Sequence, residues 1–141
     1  MKARSRGFTI LELLISLAVI AVLGSIAVPS YKNYLRRAYF NELVQAAEPY
    51  KEAIDLCIKK TKTTKGCDAG KNKIPAAIAV ETGPVASLIV ANGIIKVTPV
   101  PKYGIKETDT LIMTPIVNDG TVTWANSGGG VLAGYLRTTE G

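Results

Sequence analysis

The chain is short and moderately apolar, with 141 residues, 48% of them hydrophobic, and a formal net charge of +6. Three of its positive charges, Lys2, Arg4 and Arg6, lie at the start, so the remainder carries only +3 (6 − 3). The bulk charge is therefore a weak reason to expect a nucleic-acid partner. The sequence contains no histidine and no glycine-rich phosphate loop, and a zinc site would need ligands beyond its two cysteines. We therefore expect no enzyme activity, no cofactor and no metal site.

The segment from Phe8 to Val28 is almost entirely apolar. Its polar or charged side chains are Thr9, Glu12, Ser16 and Ser25. At about 1.5 Å per residue, a helix over this segment would be roughly 32 Å long, which is enough to cross a bilayer. Because the basic residues precede it, the positive-inside rule predicts a cytoplasmic leader and an exported chain after Val28.

The carboxylate of Glu12 is unexpected in such a segment, because a charge in hydrocarbon is costly without a partner. A secretory signal peptide would explain the basic leader and the small residues of Ser25-Ile26-Ala27, but its apolar region is normally shorter. A plain membrane anchor leaves Glu12 unexplained. Cleavage between Gly7 and Phe8 explains it, since the new terminal ammonium, of the same copy or an adjacent one, would neutralise the carboxylate. Pairing between copies would also set the axial register of packed helices.

The stretch Gly7-Phe-Thr-Ile-Leu-Glu12, after a basic leader and before an apolar run that ends at Pro29, resembles the type IV pilins of the short-leader type IVa class. Tyr31 and Tyr34, just past the proline, are also similar to that class. The resemblance implies that a dedicated membrane peptidase, the prepilin peptidase, cleaves after Gly7 and methylates the amine of Phe8. It also implies that Glu12 guides the addition of subunits to a growing filament.

This interpretation divides the chain into a leader (1–7), a transmembrane and filament-core helix (8–29) and a globular head (30–141). Helical character continues past Pro29, which removes a backbone donor and should kink the helix together with Gly24. Pro49 predicts a second kink. The family resemblance implies that the Gly24–Pro29 stretch partly unwinds in the filament.

An amphipathic helix is predicted beyond this point, because apolar residues recur at helical spacing. They are Phe40, Leu43, Ala47, Tyr50, Ile54 and Cys57. Charged residues off this stripe, Lys51 and Asp55 among them, should face water or neighbouring molecules. The stripe is too short for a self-sufficient coiled coil, so it needs a sheet to cover it.

A lysine-rich loop is predicted where the helix ends, near Lys59–Lys60. In an exported chain, Cys57 and Cys67 are most simply read as one disulfide that pins this loop to the helix end. The loop region concentrates six lysines, Lys59, Lys60, Lys62, Lys65, Lys71 and Lys73. They are either a solvated surface or a patch for DNA or another anion, and without aromatic residues they do not favour specific single-strand recognition.

The second half of the sequence predicts two β-hairpins. In the first, "SLIVA" and "IIKVTPV" flank Asn92-Gly93, which suits a type I′ turn. In the second, "TLIMTPIV" and "TVTWAN" flank Asn118-Asp119-Gly120. Pro99 and Pro115 should lie at strand ends, bulges or an edge, and Ser127–Gly130 should form a flexible link to a short apolar tail. The predicted fold is α+β, a long kinked N-terminal helix whose C-terminal half packs on a four-stranded antiparallel sheet.

The main functional hypothesis is a structural subunit of a type IV pilus, a helical homopolymer that supports adhesion, twitching motility or DNA uptake. Its partners would be other copies of itself, the inner membrane before assembly, the prepilin peptidase and the assembly machinery. The precursor would sit in the inner membrane with a periplasmic head, and the filament would be extracellular. The alternatives are a pseudopilin of a type II secretion system and a minor pilin that captures DNA. No cysteine follows Cys67, so the C-terminal disulfide loop of many type IVa pilins is absent, which weakens any receptor-binding role borrowed from it.

Overall fold

The computed structural model describes residues 7–136; leader residues 1–6 and residues 137–141 of the predicted head lie outside the described residues. Within these described residues, two helices and four strands follow one another. They are α1 (Ile10–Thr61), β1 (Val85–Ala91), β2 (Ile94–Pro99), β3 (Leu111–Asn118), β4 (Thr121–Ser127) and α2 (Gly129–Leu132). The predicted α+β class, with a long helix and a four-stranded antiparallel sheet, is confirmed.

The chain divides into two compact units, Met1–Tyr34 and Leu35–Gly141. In its described part the first unit is helical from Ile10 onwards. Gly24, Pro29 and Pro49 all lie within the bounds of α1, so none of them ends the helix. The bends expected at these three residues stay predictions.

The C-terminal part of α1 buries the apolar stripe that the sequence indicated. Phe40, Leu43, Ala47 and Ile54 have no exposed surface, and Cys57 is 3% exposed. These side chains form one core with the inward-facing residues of the strands, such as Leu88, Ile95, Val97, Leu111 and Met113. Because i, i+3 and i+4 positions share one helix face, the spacing alone was enough to identify this surface.

The expected exposure of Lys51 was wrong. Its side chain is buried at the edge of the helix–sheet contact, where Nζ lies 3.6 Å from Glu48 Oε1 and 5.6 Å from the ring centroid of Trp124. Asp55 lies close by and accepts a hydrogen bond of 3.2 Å from Trp124 Nε1. The helical positions Ala47, Lys51 and Ile54 share a face, so the aliphatic stem of the lysine extends the apolar stripe while its ammonium meets an acid and an indole.

The sheet is an antiparallel meander in the order β1-β2-β3-β4. Both predicted hairpins are confirmed, and their two-residue turns have the positive φ angles that type I′ turns require: 50° and 79° at Asn92-Gly93, 47° and 82° at Asp119-Gly120. Along β4 the buried residues, Trp124 and Asn126, alternate with exposed ones. One face of the sheet therefore packs on the core, as the period-two pattern predicted.

Both strand prolines occupy positions that need no ladder donor. Pro99 is the last residue of β2 and faces the bulge between Val85 and Ser87 on β1. Pro115 lies in the middle of β3, but β2 pairs with β3 only as far as Met113. Beyond Met113, the edge of β3 facing β2 is therefore unpaired, which satisfies the expected edge position.

The glycine run before the C-terminal tail is packed, which contradicts the expected flexible link. Gly129 and Gly130 begin α2, and Gly130 is buried. A methyl group added at Gly129 would lie 2.0 Å from the carbonyl oxygen of Thr108, and one at Gly130 would lie 2.1 Å from Phe40 Cζ. The chain needs glycine here because backbone and aromatic ring leave no room for a side chain, and Tyr135 then packs on Phe40 with ring centroids 5.7 Å apart.

Two buried tyrosines hold α1 to the segments that surround it. The hydroxyl of Tyr39 donates to the carbonyl oxygens of Val100 at 2.8 Å and Pro84 at 3.3 Å, and that of Tyr50 donates to Ala76 at 2.7 Å. Burial raises the pKa of both phenols above the ordinary value of 10.0, and for Tyr39 the nearby carboxylates of Glu42 and Glu81 add to the effect. Both groups therefore stay protonated donors well into the alkaline range.

Candidate functional site

The first candidate site is the apolar N-terminal segment of α1. The helix is long and apolar enough to cross a membrane by length and composition, and none of the most apolar stretch is buried in a single copy. Phe8 is 82% exposed, and the large apolar residues that follow it to Val28 are also exposed. Hydrocarbon surface on this scale requires either lipid or other protein to cover it.

Glu12 lies in the first turn of α1, and Thr9 caps that turn. The backbone N–H of Glu12 donates to Thr9 Oγ1 at 3.1 Å, and the N–H of Leu13 donates to the carbonyl oxygen of Thr9 at 3.0 Å. Thr9 and Glu12 thus occupy the N-cap and N3 positions of a Thr-x-x-Glu sequence, the pattern of a capping box. The sequence interpretation missed this role of Thr9, although the three-residue spacing was a readable signal.

This geometry gives the Glu12 carboxylate a local source of stabilisation, because a negative charge in the first turn interacts favourably with the helix dipole. Within residues 7–136 of one copy, its carboxylate makes no ion pair or hydrogen bond to a side chain. Gly7 and Phe8 precede the helix, so the bond expected to be cleaved lies in non-helical chain. Cleavage at that bond would leave Thr9 and the capped turn intact.

The second candidate site is the loop that follows α1. The predicted disulfide between Cys57 and Cys67 is confirmed, and it ties the loop to the last turns of the helix. Backbone hydrogen bonds then dock the loop on the β1–β2 turn. The N–H of Gly93 donates to the carbonyl oxygen of Cys67 at 2.9 Å, and the N–H of Asn92 donates to Asp68 Oδ1 at 2.8 Å.

All six lysines of this region are exposed. They are Lys59, Lys60, Lys62, Lys65, Lys71 and Lys73. The single acid among them, Asp68, is occupied by the Asn92 N–H and by Lys71, whose Nζ lies 3.6 Å from Asp68 Oδ2. Neighbouring Lys60 and Lys73, together with the 67% exposed Leu56, line a groove of about 330 Å³. The structure thus places Lys60 and Lys73 beside one groove and leaves all six lysines exposed around a loop that is tied to the helix and to the β1–β2 turn.

Residues that could hold a metal ion are not clustered anywhere in the described part of the chain, residues 7–136. Both candidate sites present surfaces that suit association with other molecules. The first offers an apolar surface with one carboxylate, and the second offers a basic surface with an apolar groove.

Comparison with known proteins bears on the first of these two sites. The family model of the prokaryotic N-terminal methylation motif matches residues 2–28. Over 95 residues the chain is 37% identical to prepilin peptidase-dependent protein D of Escherichia coli K12, an alignment that covers 67% of this chain and 64% of the relative. It is 36% identical over 70 residues to the type IV major fimbrial protein FimA of Dichelobacter nodosus, covering 50% of this chain and 45% of FimA.

A longer alignment extends through the head. The fimbrial protein EcpC of Eikenella corrodens is 30% identical over 132 residues, which cover 88% of this chain and 83% of EcpC. The chain therefore belongs to the type IV pilin family. Its alignments with the first two relatives cover less than two thirds of their length.

Proposed function

We propose that this chain is a structural subunit of a type IV pilus and polymerises through its N-terminal helix. The observation that carries the proposal is the uncovered apolar surface from Phe8 to Val28, on a helix whose first turn holds Glu12. In the membrane, lipid covers this surface. In a filament, the corresponding helices of other copies cover it, so one surface serves both states.

Processing precedes assembly in this proposal. A prepilin peptidase cleaves after Gly7 and the new amine of Phe8 is methylated, which supplies a cation close to the first turn of α1. The similarity to a relative named as prepilin peptidase-dependent supports this step. The head is in the periplasm before assembly and at the filament surface afterwards, consistent with basic residues before the apolar segment and a disulfide after it.

Glu12 sets the register of assembly by pairing with the terminal ammonium of Phe8 in an adjacent copy. In the apolar filament core this ion pair is screened poorly, and removal of one partner leaves an unpaired charge. The helix dipole stabilises the carboxylate within its own copy, and Thr9 caps the turn by accepting from the backbone N–H of Glu12. Neither effect specifies the position of a neighbouring helix. Specificity for register therefore needs the intermolecular partner.

The test is the substitution Glu12→Ala, with Ser16→Ala as a matched control one helical turn away. We expect Glu12→Ala to lower the number of surface filaments, counted by electron microscopy, at least tenfold, and Ser16→Ala to leave it within about twofold. Mass spectrometry of both variants should find loss of residues 1–7, an added methyl group and a mass deficit of two hydrogens for the disulfide. Normal filament numbers in a processed Glu12→Ala variant would overturn the pairing mechanism.

The second candidate function is that of a pseudopilin of a type II secretion system, in which the same kind of N-terminal segment would assemble into a shorter filament. Adhesion, motility and DNA uptake are also separate consequences of assembly. Deletion of the gene followed by assays of attachment, surface spreading, transformation and protein secretion distinguishes them. Loss of secretion with normal surface fibres would favour the pseudopilin.

A further inference from the structure

Charge is distributed unevenly along the head. The segment from residue 59 to 73 holds six lysines and one aspartate, a net charge of +5, whereas helix residues 38–56 hold four acids and one lysine, a net charge of −3. Both surfaces face solvent, because all six lysines and the helix carboxylates of Glu48 and Glu52 are exposed. The head therefore carries a basic platform, residues 59–73, next to an acidic flank, Glu48 and Glu52.

A disulfide and backbone hydrogen bonds hold the basic platform in place. The Cys57–Cys67 disulfide fixes its base, and the Asn92 and Gly93 amides fix its far side. The carboxylate of Asp68 accepts a hydrogen bond from the Asn92 N–H and pairs with Lys71, so it does not neutralise the other lysines. Lysines held in place on a docked loop lose less conformational freedom on binding than lysines on a flexible segment.

Part of the negative charge of the acidic flank has no ion-pair partner among the described residues of one copy. Glu48 and Glu52 are one turn apart on the helix, where like charges repel. Glu48 lies 3.6 Å from the buried Lys51, whereas Glu52 makes no ion pair within the described residues 7–136. Within the described residues, none of the platform lysines forms an ion pair with Glu52, and helix positions 52 and 59 are separated by about 10 Å along the axis.

We propose that the basic platform of one copy docks on the acidic flank of a neighbouring copy, an inference that rests on the proposed filament function. The exposed Leu56 and its groove, flanked by Lys60 and Lys73, form the apolar centre of the contact, and the lysines form its charged rim. Such a contact joins two different surfaces of identical subunits, which is the type of interface that builds helical filaments instead of closed dimers.

The geometry of α1 restricts how the copies can be arranged. Between the acidic flank and the lysines at the helix end lie 7 to 12 residue positions, so parallel helices would be offset axially by roughly 10–18 Å. Duplex DNA is the competing occupant of the platform, because clustered lysines bind phosphate without sequence preference. Charge complementarity within the same chain, together with the exposed Leu56 of the groove, which gives an apolar contact that phosphates cannot use, favours the second copy.

The test is a charge-reversal series in the full-length chain. We expect Lys60→Glu with Lys73→Glu, and separately Glu52→Lys, to lower the amount of sedimentable filament at least fivefold. The triple variant should return to within about twofold of the unmodified chain, because opposite charges again face each other. Lys96→Glu with Lys106→Glu is the matched control, since both lysines are exposed outside the platform, and it should leave filaments unchanged.

Each outcome has a distinct meaning. Absence of filaments from the unmodified chain would reject the proposed function, whereas normal filaments from the platform variant would reject only this contact. Filaments of the platform variant that assemble normally but lose salt-sensitive binding to duplex DNA would assign the platform to nucleic acid. If the reversal variants lose the head's resistance to protease, the neutral pair Lys60→Gln with Lys73→Gln replaces them. A triple variant no better than its parents would also overturn the contact.

Discussion

Residues 8–28 and the head differ in whether their large apolar side chains are covered within one copy of the chain. The N-terminal segment leaves its large apolar side chains exposed, whereas the head places Phe40, Leu43 and Ile54 in a core with no exposed surface. The head can do so because a sheet covers one face of its helix. The N-terminal segment has apolar residues on all sides, so only lipid or other chains can cover it. The buried core stabilises the head, whereas the N-terminal segment presents apolar surface that other molecules must cover.

Two matched substitutions should give the largest difference in effect between the head and the N-terminal segment. Phe40→Ala should destabilise the head by about 3–5 kcal/mol, because it empties a fully buried site. Phe8→Ala should leave the unfolding free energy of the head unchanged, because the ring of Phe8 is 82% exposed in a single copy. Denaturant unfolding of the detergent-solubilised chain, followed through Trp124 fluorescence, measures both. A head equally sensitive to both changes would contradict the division.

Removal of the disulfide should also affect the head and not the N-terminal segment, by a smaller amount. Replacement of Cys57 and Cys67 together by serine should lower the unfolding free energy of the head by about 2–3 kcal/mol, since the cross-link closes a short loop in the unfolded chain. The helical content of the segment 8–28, measured by circular dichroism in detergent, should not change. Unaltered head stability in the double variant would show that the loop is held by its hydrogen bonds to the β1–β2 turn alone.

The smallest effect concerns alkaline pH. Since the folded head raises the pKa of Tyr39 above 10.0 through burial and nearby carboxylates, the protonated phenol favours the fold. The unfolded chain releases this proton first, so stability is full below pH 10 and falls as the pH rises from 10 through the raised pKa. Tyr39→Phe should make this fall smaller and leave the part that Tyr50 contributes, whereas Tyr34→Phe, at an exposed ring, should preserve the whole fall. Thermal unfolding between pH 8 and about 11.5 measures the difference.

Much of the fold could be read from local patterns. The helix face required only apolar residues at spacings of three and four, and the hairpins required alternation around Asn-Gly and Asp-Gly turns. The disulfide followed from the presence of two cysteines in an exported chain. The apolar segment that contains Glu12 was also evident from composition. Each of these signals depends on neighbours in sequence or on composition.

Tertiary packing decided the features that sequence reasoning missed or misjudged. Lys51 is buried because its stem fills the edge of the helix–sheet contact while Trp124 and Glu48 face its ammonium. The glycine run is compact because Phe40 and the backbone around Thr108 press against it. The loop that carries the lysines is fixed because the backbone N–H of Asn92, distant in sequence, donates to Asp68.

Side-chain chemistry at short spacings was enough to show which segments of this protein are apolar, where its strands turn and which segment is long enough to span a membrane. Tertiary packing set which charges are buried, which glycines are sterically required and how the lysine-rich loop is held. Those outcomes depend on residues far apart in the chain, whose approach is set by packing of the whole head.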